Sequence, residues 1–243
     1  MWPCVRYAVS PSSRFRLSAE SGTIEVVRLG LIGDVHAEDE LVLATLEALR
    51  KERVDHVLCT GDLVDGLGDV DRACGYLREA NVLTVRGNHD RWIRSDEMRT
   101  LPNAHKMTEL SVETIALLKS LPSTASLDIL GGGKLLLCHG VGRNDMRRLQ
   151  ADDRGHAISS NDDLLGVLFD AGIRLMIAGH THQQMLRRFE RGGGRPPLFA
   201  INPGTLARED EPGFAIVDLK AARVEFRRFT SDRLVVHASS ALL

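Results

Sequence analysis

Apolar residues along this chain gather in short runs that stop abruptly at glycine or a turn residue. Residues 24–32, 54–59, 82–86, 134–138 and 174–177 are too short for buried helices and are rich in Val, Ile and Leu, so each predicts a strand. Between the first three, the apolar period changes from two to about 3.6. Residues 39–53 place Val42, Leu46 and Leu49 on one face, with acids at the start and Arg50, Lys51 and Arg53 at the end, and residues 70–80 repeat the pattern. Two strand–helix–strand units in succession predict parallel strands with right-handed crossovers.

Beyond Asp90 the pattern predicts a mostly helical insertion, with helices over 92–99 and 112–121, the second closed by Pro122, forming one wall of a cleft. Hairpins follow. Strands over 125–130 and 134–138 flank Gly131-Gly132-Gly133, and Ser160 with Asp163 resembles a capping box for a helix through Leu164, Leu165 and Leu168. The remainder reads as short antiparallel strands over 185–190, 198–201, 214–219 and 224–229. The expected fold class is mixed α/β: a four-layer αββα sandwich of two mixed sheets packed face to face and flanked by helices.

What the strand ends deliver is chemical. The five runs exit into Asp34 and His36, into Asp62, into Asn88 and His89, into His139, and into His180 and His182, each beside a glycine. Sites in open α/β sheets lie at the carboxyl ends of strands, so these groups converge on one crevice. Five of the 9 histidines fall in these turns; His56, His105, His156 and His237 lack that context and read as surface or core residues. Carboxylates, an amide and imidazoles without thiolate suit divalent ions such as Mn²⁺, Fe²⁺, Co²⁺ or Zn²⁺. Seven or eight such groups are too many for one ion and describe two ions about 3.5–4 Å apart, with a site at the strand C-terminal ends. Arg143 and Asn144, just after His139, are either substrate contacts or part of a solvated loop.

Composition narrows the partners. A formal net charge of −2, with 43% hydrophobic and 26% charged residues, describes a globular chain without the basic footprint of a nucleic-acid or anionic-membrane binder. No apolar run approaches the roughly 20 residues that span a bilayer. Cys4, Cys59, Cys74 and Cys138 form no CxxC pair, which fits a reducing compartment and a cytoplasmic location. Residues 1–22 carry Arg6, Arg14, Arg16 and several serines with no acid before Glu20, and read as a disordered extension ahead of one domain over 23–243. Oligomeric state is left open.

In order, the blocks GDVH, GDLVDG, GNHD, CHG and GHTH resemble the calcineurin-like metallophosphoesterase superfamily over about residues 24–219, near its small prokaryotic phosphodiesterases, which also share Asn202-Pro203-Gly204-Thr205. Carried onto this chain, the resemblance implies that Asp34, His36 and His182 bind one metal and that Asn88, His139 and His180 bind the other. Asp62 would bridge them. His89 would face the phosphate and Asp65 would orient it, making these two the implied catalytic pair. The implied cofactor is two divalent ions, Mn²⁺ in the first place, with Fe²⁺, Co²⁺, Ni²⁺ or Zn²⁺ as alternatives. The implied reaction is attack of a metal-bridging hydroxide on a small phosphodiester or nucleotide, with His89 protonating the leaving oxygen.

Departures from the family pattern narrow the branch. Gly66 stands where phosphoprotein phosphatases carry a phosphate-binding arginine, and Asp90 where they carry glutamate, which weakens the protein-phosphatase reading. His89 stands where several of the small phosphodiesterases have cysteine, which leaves phosphomonoesters open. A diadenosine-polyphosphate hydrolase is a further alternative, and a catalytically silent scaffold of the same fold is the alternative from another class. Every ligand position is filled, which argues against the scaffold.

Overall fold

In the computed structural model, residues 28–129, 132–230 and 234–241 are described. Strand β1 (Arg28–Ile32) lies buried on both faces, which is why its sequence is a continuous apolar run. Leu29 and Leu31 point into the space between two sheets, whereas Ile32 faces outward to helices. Gly30 lets helix α1 (Asp39–Lys51) press close, since a Cβ there would lie 2.6 Å from Leu49 Cδ1. Strands β2 (His56–Cys59) and β3 (Leu83–Thr84) continue parallel to β1, with helix α2 (Val70–Glu79) in the second crossover.

The chain then forms helices α3 (Asn88–Ser95) and α4 (Val112–Ser120) before building a second sheet. Its strands are β4 (Thr124–Asp128), β5 (Lys134–Cys138), β6 (Ile173–Ile177), β7 (Met185–Phe189) and β8 (Leu198–Asn202), in the order β4-β5-β6-β8-β7. Helices α5 (His156–Ser159) and α6 (Asp162–Phe169) interrupt it between β5 and β6. Strands β9 (Gly213–Asp218), β10 (Arg223–Phe229) and β11 (Leu234–Ala241) return to the first sheet, whose order is β11-β10-β9-β1-β2-β3.

Three apolar layers hold the sandwich together. Leu29, Leu31, Leu58 and Val85 meet Leu135, Leu137, Leu175 and Ile177 between the sheets. Val42 and Leu49 of α1, Ala73 and Leu77 of α2 and Leu118 of α4 pack outside the first sheet, and Leu164 and Val167 of α6 outside the second. The four-layer αββα arrangement expected from the pattern is the one observed.

Several boundaries moved. The strand expected over 82–86 shrinks to two residues, and the helix expected over 92–99 begins at Asn88 instead. Asp90 explains the early start: one carboxylate oxygen accepts the Gly87 N–H at 2.9 Å and the other the Leu63 N–H at 2.8 Å, fixing the first turn of α3 to the loop after β2. The cap of α6 is Asn161, whose side chain accepts the Leu164 N–H at 3.0 Å, rather than Ser160. Strand β8 is not purely antiparallel, since it pairs parallel with β6 and antiparallel with β7. Strand β11 escaped the sequence reading. The expected extension over 1–22 and the start of the first predicted strand, 24–27, lie outside the described residues.

Candidate metal centre

All five strand exits reach one crevice between the sheets. Asp34 leaves β1 and is pinned there because its main-chain oxygen accepts both the Thr205 hydroxyl and the Leu206 N–H at 2.8 Å. The Asn202-Pro203-Gly204-Thr205 segment thus closes on the site from the second sheet, where the Asn202 amide also donates to Gly179 O at 2.8 Å. Backbone approach is tight. A Cβ on Gly87 would collide with the carboxylate of Asp62, and one on Gly179 with that of Asp34. His36, Asp62, Asp65, His180 and His182 all adopt left-handed backbone, with φ between 47° and 68°. Each such residue costs on the order of 1 kcal/mol, strain that packing must offset and that concentrates where side chains are aimed for a purpose.

The imidazoles are aimed through their second nitrogens. His36 Nδ1 donates to Asp65 O at 2.8 Å, His182 Nδ1 to Asp210 Oδ2 at 2.6 Å, and His139 Nδ1 to Thr60 O at 2.9 Å. A carbonyl or carboxylate only accepts, so Nδ1 carries a hydrogen and Nε2 is the nitrogen each ring turns toward the crevice. His36 Nε2 and His182 Nε2 nevertheless face each other at 3.1 Å, with Asp34 Oδ2 3.2 Å from the latter. His139 Nε2 faces Asn88 Oδ1 at 2.9 Å and Asp62 Oδ2 at 3.2 Å, and His180 Nε2 is buried with no hydrogen-bond partner. Donor atoms crowded like this repel unless a proton or a metal cation sits among them. The donor set therefore fits metal, and its outer hydrogen bonds are those that orient ligating histidines.

Three sets of side chains bring ligand atoms within 4.8 Å of one another: Asp34, His36 and His182; Asp62, His139 and His180; and His36, Asp62 and His89. The first holds the same three residues as one set that the resemblance implies; the second brings His139 and His180 of the other set together with Asp62, whose Oδ2 is 3.2 Å from His139 Nε2 and 3.9 Å from His36 Nε2, while Asn88 Oδ1 lies 2.9 Å from His139 Nε2. Electrostatics agree. Burial alone would raise the Asp62 carboxyl, yet His139, His36 and His89 hold it far below the usual range. Burial opposes a proton on His139, but Asp62 and Asp34 push its imidazole up to about 10, so this point of the site favours positive charge. His180 is lowered by burial and by the neighbouring His139.

His89 stands on the first turn of α3 beside these groups. Its main-chain N–H donates to Asp62 Oδ1 at 2.8 Å, and its Nδ1 meets Asp65 Oδ2 at 2.7 Å. Burial disfavours its proton, but Asp65 and Asp62 outweigh that and raise it above its ordinary value. Asp65 is itself shared: Arg99 grips both its oxygens at 2.8 and 2.9 Å, and the His105 N–H donates to Oδ1 at 2.9 Å. Burial would raise Asp65, but His89, Arg99 and His105 hold it down at about 2.

Arg99 and His105 were missed by the sequence reading. By its sequence context His105 reads as a surface or core residue, yet its Nδ1 accepts the Asp65 N–H at 3.1 Å. Neither follows a strand; the insertion folds them back, and an acid holding a histidine that itself needs holding is the one available signal. Asp210, which orients His182, was missed for the same reason. Of the two open candidates after His139, Arg143 is exposed and Asn144 is tied to Asp163 Oδ2 at 2.9 Å. Asp90 is buried under the site, where burial and the nearby Asp62 push its carboxyl up to about 6.

A sandwich with this crevice at its strand ends is the architecture of the calcineurin-like metallophosphoesterases. The sequence profile described as the Calcineurin-like phosphoesterase superfamily domain matches residues 27–222, and the chain belongs to that family. Among solved structures it resembles a metallophosphoesterase from Sphaerobacter thermophilus, with 24% identity and a TM-score of 0.60 over 85% of this chain and 89% of that one. It also resembles the E. coli phosphoesterase Yfce, at 16% identity and TM-score 0.53 over 89% and 100% of the two chains. A dimetal phosphatase from Danio rerio aligns at 12% identity and TM-score 0.53 over 88% and 99%. At these identities the likeness is one of fold. No curated protein matches the chain. Among the described residues no helix is long and apolar enough to cross a membrane.

Proposed function

We propose that this chain is a two-metal phosphoesterase acting on small phosphodiesters or nucleotides. The observation that carries the reading is the meeting of two oxygen and nitrogen donor sets at Asp62, with three of the imidazoles held through Nδ1 so that Nε2 points inward. Asp34, His36 and His182 would hold one ion, and Asn88, His139 and His180 the other, with Asp62 shared. Two bound divalent ions, Mn²⁺ before Fe²⁺, Co²⁺, Ni²⁺ or Zn²⁺, supply positive charge for the phosphoryl oxygens and make a water nucleophilic near neutral pH.

The protein's own groups do the rest. His89, held by Asp65 in a 2.7 Å pair that favours the imidazolium, presents a proton at the mouth of the crevice. A departing alkoxide is a poor leaving group, and a proton delivered to its oxygen removes that difficulty. Arg99 and the His105 N–H keep Asp65 ionised and fixed, so the His89 ring is aimed. Metal-stripped protein reloaded singly with each ion and offered mono-, di- and pyrophosphate esters tests the proposal. Two ions per active chain with turnover of diesters is the expected result; one ion, or full loading with no turnover of any ester, overturns it.

A further inference from the structure

A cleft of about 440 Å³ opens beside His36, His89 and His182, and its outer wall differs in kind from its floor. Leu67, Trp92, Met98, Leu101 and Pro102 line that wall. Leu67 is 55% and Met98 49% exposed, two of only five large apolar side chains left so exposed among the described residues. Apolar side chains held open to water along a cleft of ligand size mark a place for a ligand's apolar part.

Trp92 sets the position of that part. It follows His89 by one helical turn on α3, and the two rings meet edge-on with centroids 4.6 Å apart. The oxygen that accepts a proton from His89 therefore leaves past the indole. Charge sets its chemistry. Arg208 is the one guanidinium or ammonium group lining the cleft among the described residues, and Glu38 grips it at 2.6–2.9 Å, while Glu209 and Asp210 add negative charge at the rim. A run of further phosphates would meet carboxylates there. A neutral ring would meet Trp92, Met98 and Pro102, with the Asn103 amide at hand for a polar ring edge.

We infer that this cleft is a leaving-group subsite that binds a flat, neutral, nucleobase-like ring carried by the alcohol released from a phosphodiester. The inference rests on the phosphodiesterase reading and gives it a substrate side. In balance, one water adds, the phosphorus–oxygen bond to the ring-bearing alcohol breaks, and that alcohol leaves with the proton from His89, which water restores. A polyphosphate linking two nucleosides is disfavoured by the same wall.

The test uses the metal-loaded full chain and four methyl phosphodiesters whose leaving groups are primary alcohols: propyl, hexyl, 3-phenylpropyl and 3-(thymin-1-yl)propyl. The two ring esters should exceed the propyl ester in kcat/KM by about 10-fold or more, the usual worth of stacking one base on an aromatic side chain. In Met98→Ser and Trp92→Ala the ratio of ring to propyl ester should fall to within about 3-fold. Equal kcat/KM for all four esters overturns the subsite and leaves the phosphodiesterase reading standing. A hexyl ester better than both ring esters overturns it in favour of an alkyl chain. Hydrolysis of none overturns the parent reading, and binding of 3-(thymin-1-yl)propanol, followed by calorimetry, then decides the subsite. Binding weakened about 5-fold or more by Met98→Ser supports it, and no binding ends it.

Discussion

The two walls of the crevice are built on opposite principles. On the side of the candidate metal centre Asp34, Asp62, Asn88 and His139 are at most 2% exposed, and each sits at the end of a strand or on the first turn of a helix. Across the crevice, residues 96–106 carry no strand, leave Met98 half open to water, and are held largely through one carboxylate, that of Asp65. The contrast teaches where precision is required. Ligand atoms must be placed to a fraction of an ångström, which rigid strand ends provide, whereas a wall that chooses substrates tolerates variation. Asp65 couples them, because it aims His89 with one oxygen and anchors the wall through Arg99 with both.

The comparison breaks most sharply at Asp62. Asp62→Asn should abolish hydrolysis, a loss above about 10³-fold, because an amide cannot neutralise and join two cationic sites. Metal analysis should show fewer than two ions per chain, and near wild-type turnover with full loading would end the assignment.

Next comes His89, on the boundary between the walls. His89→Ala should slow diesters with alkyl or nucleoside leaving groups by about 10²–10⁴-fold and nitrophenyl esters much less, since a good leaving group departs without a proton. Metal content should stay at the wild-type level. Equal losses on both substrate types would assign His89 to charge stabilisation, and lost metal would place it among the ligands, as its closeness to His36 and Asp62 makes worth checking.

Asp90 tests the rigid wall without touching substrate. Asp90→Ala strips the buried Leu63 and Gly87 N–H groups of their acceptor and should destabilise the fold by about 2–3 kcal/mol, less than two full desolvation penalties because removing a buried charge beside Asp62 gives part of it back. Thermal unfolding of both proteins in the same buffer measures it, and an unchanged Tm would refute the role.

The smallest effect belongs to Arg99. Because the His105 N–H still binds Asp65, Arg99→Ala should lower kcat by about 10-fold on poor leaving groups, with Arg99→Lys recovering part of it. A loss confined to KM would mean that Arg99 serves only the wall.

The convergence of the candidate metal-binding groups was legible from residues alone because strand exits leave a local signature. A short aliphatic run, a glycine and a polar group recur five times, and the pattern requires no knowledge of what lies opposite. The layer order was legible for the same reason, since β1 reads as buried on both faces. Tertiary structure alone decided the rest. Asn88 and His89 belong to a helix whose first turn Asp90 ties through one oxygen to Gly87, three residues back, and through the other to Leu63, a contact across 27 residues that no local period encodes. Arg99 and His105 reach the site only when the insertion folds over Asp65, 34 and 40 residues away in sequence. Local propensity records how a segment meets its immediate neighbours; partners that distant are chosen by packing, and packing exists only once the sheets have closed.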